Sequence, residues 1–305
     1  MSNEMVEIRE VGPRDGLQNE DTIAVEQRVA LIDALSGTGL RAIEAASFVH
    51  PKAIPPMAGS AEVMAGIERI PGVRYRALVP NARGAHDALA CDVDEIEVVM
   101  SISETHNRKN IKMSPDDSVL QIVALTELSH SAGTPVEAIL STAFGCAYEG
   151  EIDPDRVAHY ARRVLDEAGV DGLSFGDTSG MGSPRVVNEL LDALEAQDVD
   201  VSTIGLHFHD TRNLGLANVL TSLQRGVRKF DASIAGLGGC PYSPGATGNV
   251  ATEDVVHMVD DLGYVTGIDL GRLMAAGHLA EELVGRQLPS QVLRAGPRTR
   301  TVPAD

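Results

Sequence analysis

Residues 136–176, VEAILSTAFGCAYEGEIDPDRVAHYARRVLDEAGVDGLSFG, hold the pattern on which the fold turns. An apolar run at 136–143 gives way to a stretch with helical signals at 153–169, and then to a second short run at 171–176. Asp153 suits a helix cap, Pro154 the first helical position and Gly169 the stop. Val157, Ala161, Val164, Leu165 and Ala168 then share one helical face. Strand, amphipathic helix and strand in so short a span predict a parallel βαβ unit.

The same period runs outward in both directions. Further strands are expected at 5–11, 41–48, 74–79, 95–102, 203–208 and 229–235, which makes eight. Ser183-Pro184 opens a helix with Val187, Leu190, Leu191 and Leu194 inward, and Ser114-Pro115 opens another. Eight units of roughly 30 residues match a single (β/α)8 TIM barrel, here spanning residues 1–285. A doubly wound sheet would want a Gly-rich phosphate turn after its first strand. That strand instead ends in Gly12-Pro13-Arg14-Asp15-Gly16, with two charges. Residues 286–305 lose the period, turn basic and Pro-rich, and are expected to form a short, loosely ordered C-terminal tail.

Of 305 residues, 43% are hydrophobic, enough for the core of one large domain. The formal net charge of −19 disfavours nucleic acid and anionic membranes as partners. Aromatics at 3%, with no Trp, leave no base-stacking platform. Cys91, Cys146 and Cys240 are too few and scattered for a disulfide framework, and none forms a CxxC pair, so a reducing, cytoplasmic setting is expected. The N-terminal MSNEMVEIREVG has no signal or transit character, and no long apolar run predicts a membrane span.

In such a barrel the chemistry gathers where strands end and the next loops begin. The strongest local signal is Leu206-His207-Phe208-His209-Asp210, at the end of the seventh strand. Residues two apart on a strand face the same way, so His207 and His209 should both point inward as a chelating pair, with Phe208 turned out to the helices. Arg14-Asp15 ends the first strand. Barrel closure brings Asp15 near the two histidines and leaves Arg14 to face a developing oxyanion. The loop Gly236-Leu237-Gly238-Gly239-Cys240-Pro241-Tyr242-Ser243-Pro244-Gly245-Ala246-Thr247-Gly248-Asn249 follows the eighth strand. It lacks the Gly-Lys-Ser/Thr of a Walker loop, and its glycines suit a closing lid. Cys240 is its candidate acid or base, and Asn249 can offer an amide oxygen to a metal.

Asp15, His207, His209 and Asn249 would supply two nitrogens and two oxygens, a set suited to Mg²⁺ or Mn²⁺, with Co²⁺ or Zn²⁺ also compatible. Other polar residues at strand ends have two readings each. Glu44 either orients Arg14 or forms a plain barrel ion pair. Asp177-Thr178 either binds substrate or caps the next helix. Arg108, Lys109 and Lys112 either hold coenzyme phosphates or are a solvated helix start. His50, His86, His130, His159 and His257 are expected to be structural or at the surface, and Cys91 and Cys146 to serve packing.

The stretch Glu10-Val11-Gly12-Pro13-Arg14-Asp15-Gly16-Leu17-Gln18-Asn19-Glu20 resembles the N-terminal signature of hydroxymethylglutaryl-CoA lyases. So do Ser47-Phe48-Val49-His50-Pro51-Lys52, Gly176-Asp177-Thr178, His207-Phe208-His209-Asp210-Thr211, Gly236-Leu237-Gly238-Gly239-Cys240-Pro241-Tyr242 and Gly248-Asn249-Val250-Ala251-Thr252-Glu253-Asp254, in the same order from about residue 5 to about residue 275. The resemblance implies a metal-dependent carbon–carbon lyase of TIM-barrel fold, with a divalent cation on Asp15, His207, His209 and Asn249. It implies an acyl-CoA thioester substrate with a tertiary 3-hydroxyl and catalysis by Arg14 and Cys240. Glu44 and His207 are expected to join them in catalysis, and Gln18, Thr178 and Arg212 to contact the substrate. Arg14 would steady the thioester enolate, and His207 and Cys240 would share the proton transfers, in either assignment. A homo-oligomer and a place in leucine degradation are expected on the same ground.

The chain departs from the family pattern at Arg212-Asn213, at Ser243-Pro244-Gly245 and at Ala147. These positions leave open citramalyl-CoA, or a longer branched 3-hydroxyacyl-CoA, as the substrate. A Claisen-type synthase and a metal-dependent binding protein without catalysis are the competing classes.

Overall fold

The computed structural model describes residues 4–238 and 248–301. Eight parallel strands close into a barrel in sequence order: β1 (Glu7–Glu10), β2 (Ala42–Ser47), β3 (Arg74–Leu78), β4 (Glu95–Ser101), β5 (Val136–Ser141), β6 (Gly172–Gly176), β7 (Gly205–His207) and β8 (Lys229–Ala232), which pairs back with β1. The expected strands are all present, trimmed at their ends. Around them run α1 (Val25–Ser36), α2 (Ser60–Gly66), α3 (Ala82–Leu89), α4 (Glu104–Asn110), α5 (Pro115–Ser131), α6 (Pro154–Arg163), α7 (Pro184–Ala196), α8 (Gly215–Gln224), α9 (Thr252–Asp261), α10 (Leu270–Val284) and α11 (Gln291–Ala295). Helix α6 starts as its sequence dictates: the Asp153 side chain accepts from the Asp155 N–H, Pro154 opens the helix, and the turn that follows stops at Gly169 with φ of +62°. No described helix is long and apolar enough to cross a membrane.

Strand alternation sorts the side chains into two environments. Ile8, Ile43, Val98, Leu140, Phe175, Leu206 and Phe230 point out and are buried beneath the helices. Such barrels are ordinarily filled by branched apolar side chains, but this interior is ionic. Arg9 donates to both Glu137 oxygens at 2.6 and 2.7 Å, to Ser174 Oγ at 2.9 Å, and pairs with Asp231 at 2.6 Å. Arg76 pairs with Glu95 at 2.9 Å, Glu97 at 2.6 Å and Glu137 at 2.7 Å. Burial alone would push the Glu137 carboxyl up, but Arg9 and then Arg76 hold it well below the usual range. Burial pushes Glu97 well up, against the pull of Arg76, and the Glu44 charge beside it adds to the rise. Gly205 follows from this filling, because a Cβ there would collide with Ser174 Oγ and the Arg9 guanidinium.

At the opposite register Glu10 points outward and pins three segments together. Its Oε1 accepts from the backbone N–H of Gly12 and of Ile234, each at 2.7 Å, and its Oε2 accepts from Thr252 Oγ1 at 2.7 Å. Burial pushes its carboxyl up to about 7, with the Thr252, Ile234 and Gly12 donors pulling the other way. Past residue 285 the chain packs on the barrel for a while. Leu288, Val292 and Leu293 are buried, and Asp254 accepts from Ser290 Oγ and from the backbone N–H of Gln291 and Val292.

Two outcomes are expected. Arg9→Met leaves Glu137 and Asp231 short of their buried partner and should destabilise the fold by about 3–5 kcal/mol, measured by urea unfolding. Glu10 has a folded pKa above its unfolded one, so its contribution is fully present below about pH 4.5 and is lost as pH rises through about 7. That contribution is on the order of 3 kcal/mol. Unfolding free energies of the native protein and Glu10→Gln, measured from pH 4 to pH 8, should therefore differ in slope across that window. Parallel curves would refute it.

Candidate metal centre

The mouth of the barrel is built from the ends of β1, β7 and β8. After β1 the chain makes a single wide turn, Gly12–Gly16, with the Gly16 N–H reaching the Val11 carbonyl at 3.2 Å and the Leu17 N–H reaching Gly12 at 3.0 Å. Such i to i+5 turns are rare and concentrate at functional sites. This one carries Arg14 to Glu44 and Asp15 to Asn249, His207 and His209.

Strand β7 ends at His207, and residues 208–210 pair instead with the segment returning from the loop after β8. His209 bridges Asn249, the Asp210 N–H donates to the Gly248 carbonyl at 3.0 Å, and the Val250 N–H donates to Phe208 at 3.0 Å. Gly248 fits because a Cβ there would strike the Gly236 carbonyl. The expected inward pair survives this change of partner. The two imidazoles face each other with centroids 5.2 Å apart, and Phe208 is buried against the Phe144 ring.

One ligand atom from each of Asp15, His207 and His209 lies within 4.8 Å of the others. The Asp15 and His207 side chains keep 13% and 14% exposure, so the cluster is open at one side. Asn249 Nδ2 donates to Asp15 Oδ2 at 2.7 Å and to the Leu237 carbonyl at 3.1 Å. Its Oδ1 is buried with no hydrogen-bond partner. A buried amide oxygen left bare beside two imidazoles and a carboxylate is the donor a divalent ion would satisfy. The four expected ligands therefore fit such an ion. Burial tends to raise the Asp15 carboxyl, but Arg14, the two histidines and the Asn249 amide outweigh it, so the group is held ionised.

Arg14 is clamped from two sides. Its Nε donates to Glu44 Oε1 at 2.5 Å and its Nη1 to Asp15 Oδ1 at 2.8 Å, while no described residue engages Nη2. Glu44 thus touches Arg14 directly. Gln18 Nε2 donates to Asp15 Oδ1 at 2.8 Å, which places Gln18 against the same cluster. Thr178 Oγ1 accepts from the Thr142 N–H at 3.0 Å. Its neighbour Asp177 uses one oxygen to accept from Met181 and Gly182, and burial pushes its carboxyl up to about 7, against those two donors. Arg212 is exposed and donates to the Gly180 carbonyl at 2.7 Å, tying the loop after β7 to the loop after β6. Cys240 lies outside the described residues.

The basic cluster after β4 is engaged locally. Arg108 pairs with Glu104 at 2.5 Å, Lys109 sits 4.2 Å from the centre of the Tyr148 ring, and Lys112 donates to the Lys109 carbonyl at 2.9 Å. All three remain exposed.

One contact at this centre escaped the sequence reading. His207 Nδ1 faces Asp231 Oδ2 at 3.3 Å, which leaves Nε2 as the ligating nitrogen. Burial lowers the His207 pKa, but Asp231 and Asp15 more than reverse it. The clue lay in strand parity: Asp231 is the acidic residue between outward-facing Phe230 and Ala232.

The HMGL-like family pattern matches residues 5–280. The chain belongs to the HMGL-like family. Among relatives, the hydroxymethylglutaryl-CoA lyase of Bacillus subtilis is 47% identical over 95% of this chain and 96% of its own length. The human mitochondrial hydroxymethylglutaryl-CoA lyase is 42% identical over 95% and 89%. An HMG-CoA lyase structure from Acinetobacter baumannii, in complex with coenzyme A and 3-methylmalate, superposes with a TM-score of 0.95, 37% identity and coverage of 100% and 99%. This member of the HMGL-like family is thus a carbon–carbon-lyase-type enzyme, and its Asp15–His207–His209 cluster and Arg14 lie within the matched region.

Asp231→Asn should lower Mn²⁺ affinity by about 10–100-fold, because the partner that orients the His207 ring is weakened. Calorimetric titration with Mn²⁺ alone checks this, and unchanged affinity would remove Asp231 from the centre.

Proposed function

We propose that the protein cleaves 3-hydroxy-3-methylglutaryl-CoA to acetoacetate and acetyl-CoA with the help of a divalent cation, Mg²⁺ or Mn²⁺. The observation that carries this reading is the meeting of Asp15, His207 and His209 beside a bare Asn249 oxygen, with Arg14 clamped next to them, in a chain whose relatives are lyases. Those four residues would hold the cation, which supplies Lewis acidity toward a bound hydroxyl.

The protein's own side chains account for the rest. His207, backed by Asp231, is the proposed base for the 3-hydroxyl proton, in exchange for its place on the cation, because its Nε2 can ligate or accept a proton but not both at once. As that proton leaves, the bond between C2 and C3 breaks. Its electron pair passes to the thioester as an enolate, and the 3-hydroxyl carbon becomes the ketone of acetoacetate. Arg14, fixed by Glu44 and Asp15, offers Nη2 to the enolate oxygen without reorganising. Cys240 is proposed to protonate the enolate carbon, which gives acetyl-CoA. Gln18 and Thr178 are proposed to line the acyl group, and Arg108, Lys109 and Lys112 to meet the coenzyme phosphates. In this reading the enzyme acts in the cytoplasm in leucine breakdown.

Citramalyl-CoA is the second substrate reading. It is favoured by Arg212 in the loop after β7, tied at the mouth to Gly180, and by 3-methylmalate in the Acinetobacter structure. An assay with Mg²⁺ or Mn²⁺ that follows products by mass separates the two. Hydroxymethylglutaryl-CoA should give acetoacetate and acetyl-CoA, with activity lost on chelation and restored by metal. Pyruvate from citramalyl-CoA alone would move the assignment, and cleavage of neither would refute it. In the same assay, reversing charge at Arg108, Lys109 and Lys112 should raise KM with kcat little changed.

A further inference from the structure

A chain of hydroxyls leads from a buried imidazole to the barrel mouth. Ser101 ends β4 and Ser141 ends β5, and the two are register partners. Glu97 and Glu137 send their side chains into the barrel interior. Counting on by twos puts Ser101 and Ser141 on that same face, at the catalytic end. Their Oγ atoms are 2.7 Å apart, and Ser101 Oγ meets His106 Nδ1 at 2.6 Å. His106 stands in α4, whose N-cap Ser103 fixes the first turn by accepting the His106 backbone N–H. Ser101 and His106 are 0% and 3% exposed, whereas Ser141 keeps 8%, so the chain opens to the lumen only at Ser141.

The chain has a direction. Burial lowers the His106 pKa, with Glu149 opposing, so the ring is neutral. Its Nε2 is buried and has no hydrogen-bond partner. A buried N–H left unpaired is the rarer orphan, so the ring proton belongs on Nδ1. Nδ1–H then donates to Ser101, Ser101 donates to Ser141, and the Ser141 hydroxyl is left to donate into the barrel mouth.

Register places the end of this chain relative to the metal centre. Ser141 pairs with Gly176, and Gly176 pairs with His207. Ser141 and His207 therefore share one rung, roughly 10 Å apart over two strand spacings, with only a glycine between them. Arg14 and Asp15 reach in from β1, on the far side of His207. An acyl group with its thioester at Arg14 and its hydroxyl at His207 extends its other end toward Ser141.

We propose that Ser141 determines specificity: its hydroxyl, aimed by Ser101 and His106, donates to an oxygen on the half of the acyl group that leaves as the keto acid. The inference rests on the lyase reading above, and the test keeps the two apart. Steady-state kinetics would compare Ser141→Ala, Ser141→Thr, His106→Phe and the Ser141→Ala/His106→Phe double variant. One neutral hydrogen bond lost should raise KM about 10-fold in Ser141→Ala with kcat little changed, and Ser141→Thr should recover most of it. His106→Phe keeps the ring volume and should give a smaller rise of about 3-fold. The double variant should match Ser141→Ala, because a chain that acts as a unit is not additive. An unchanged KM in Ser141→Ala, or multiplicative losses in the double variant, would overturn the proposal. Nitrogen NMR of His106 in the native protein gives a readout that does not depend on turnover. An Nδ1–H tautomer whose resonance shifts on adding hydroxymethylglutaryl-CoA supports the chain even if no cleavage occurs. An Nε2–H tautomer, or a resonance that does not move, overturns it.

Discussion

The salt-bridged filling of the barrel is the constraint on which the rest of the molecule depends. Arg9 and Arg76 share Glu137, Arg9 also holds Asp231, and Arg76 also holds Glu97. All are buried: Glu137 and Asp231 stay charged because Arg9 and Arg76 do, whereas burial pushes Glu97 toward its neutral form. The network reaches the catalytic face by two routes. Asp231 carries it to His207, and the Glu97–Glu44 contact carries it to Arg14. The ring that would hold a metal and the guanidinium that would meet an enolate are both anchored in the interior rather than in loops. Positional control of that kind is what an electrostatic catalyst requires, because its dipoles must be in place before charge develops.

Loops complete the site by pairing with one another. The segment after β7 and the return of the loop after β8 meet through backbone hydrogen bonds, and the Asp15–Asn249 side-chain contact joins the wide turn after β1 to them. Two of the proposed ligands, His209 and Asn249, are also bridge partners along the backbone. Any shift of the Asn249 backbone would therefore also move His209.

Much of this was legible in the sequence. The eight strands followed from short apolar runs between capped amphipathic stretches, and Asp153-Pro154 marked the start of α6 and Gly169 the end of the turn that follows it. His207, His209, Asp15 and Asn249 could be brought together because each lies at a strand end or in the loop that follows, where a barrel concentrates its chemistry. The ionic interior was not legible as a network. Arg9, Arg76, Glu97, Glu137 and Asp231 each resemble a surface residue in sequence, and only closure of the barrel turns five separate charges inward. His106 escaped for a similar reason, since nothing local to Thr105-His106-Asn107 shows that its ring meets Ser101, which in turn meets Ser141 on the next strand.

A lumen filled this way also limits how the chain can change over generations. Gly205 is bare because the Arg9 guanidinium lies where its side chain would be, and loss of Arg9 would leave Glu137 and Asp231 short of a partner. No one of these residues can drift to an apolar type alone without stranding a charge in a dry interior. Replacement has to come in concerted sets, so substitutions on this inner face should co-vary across relatives in clusters of three or four strands while the outer, apolar face changes one residue at a time.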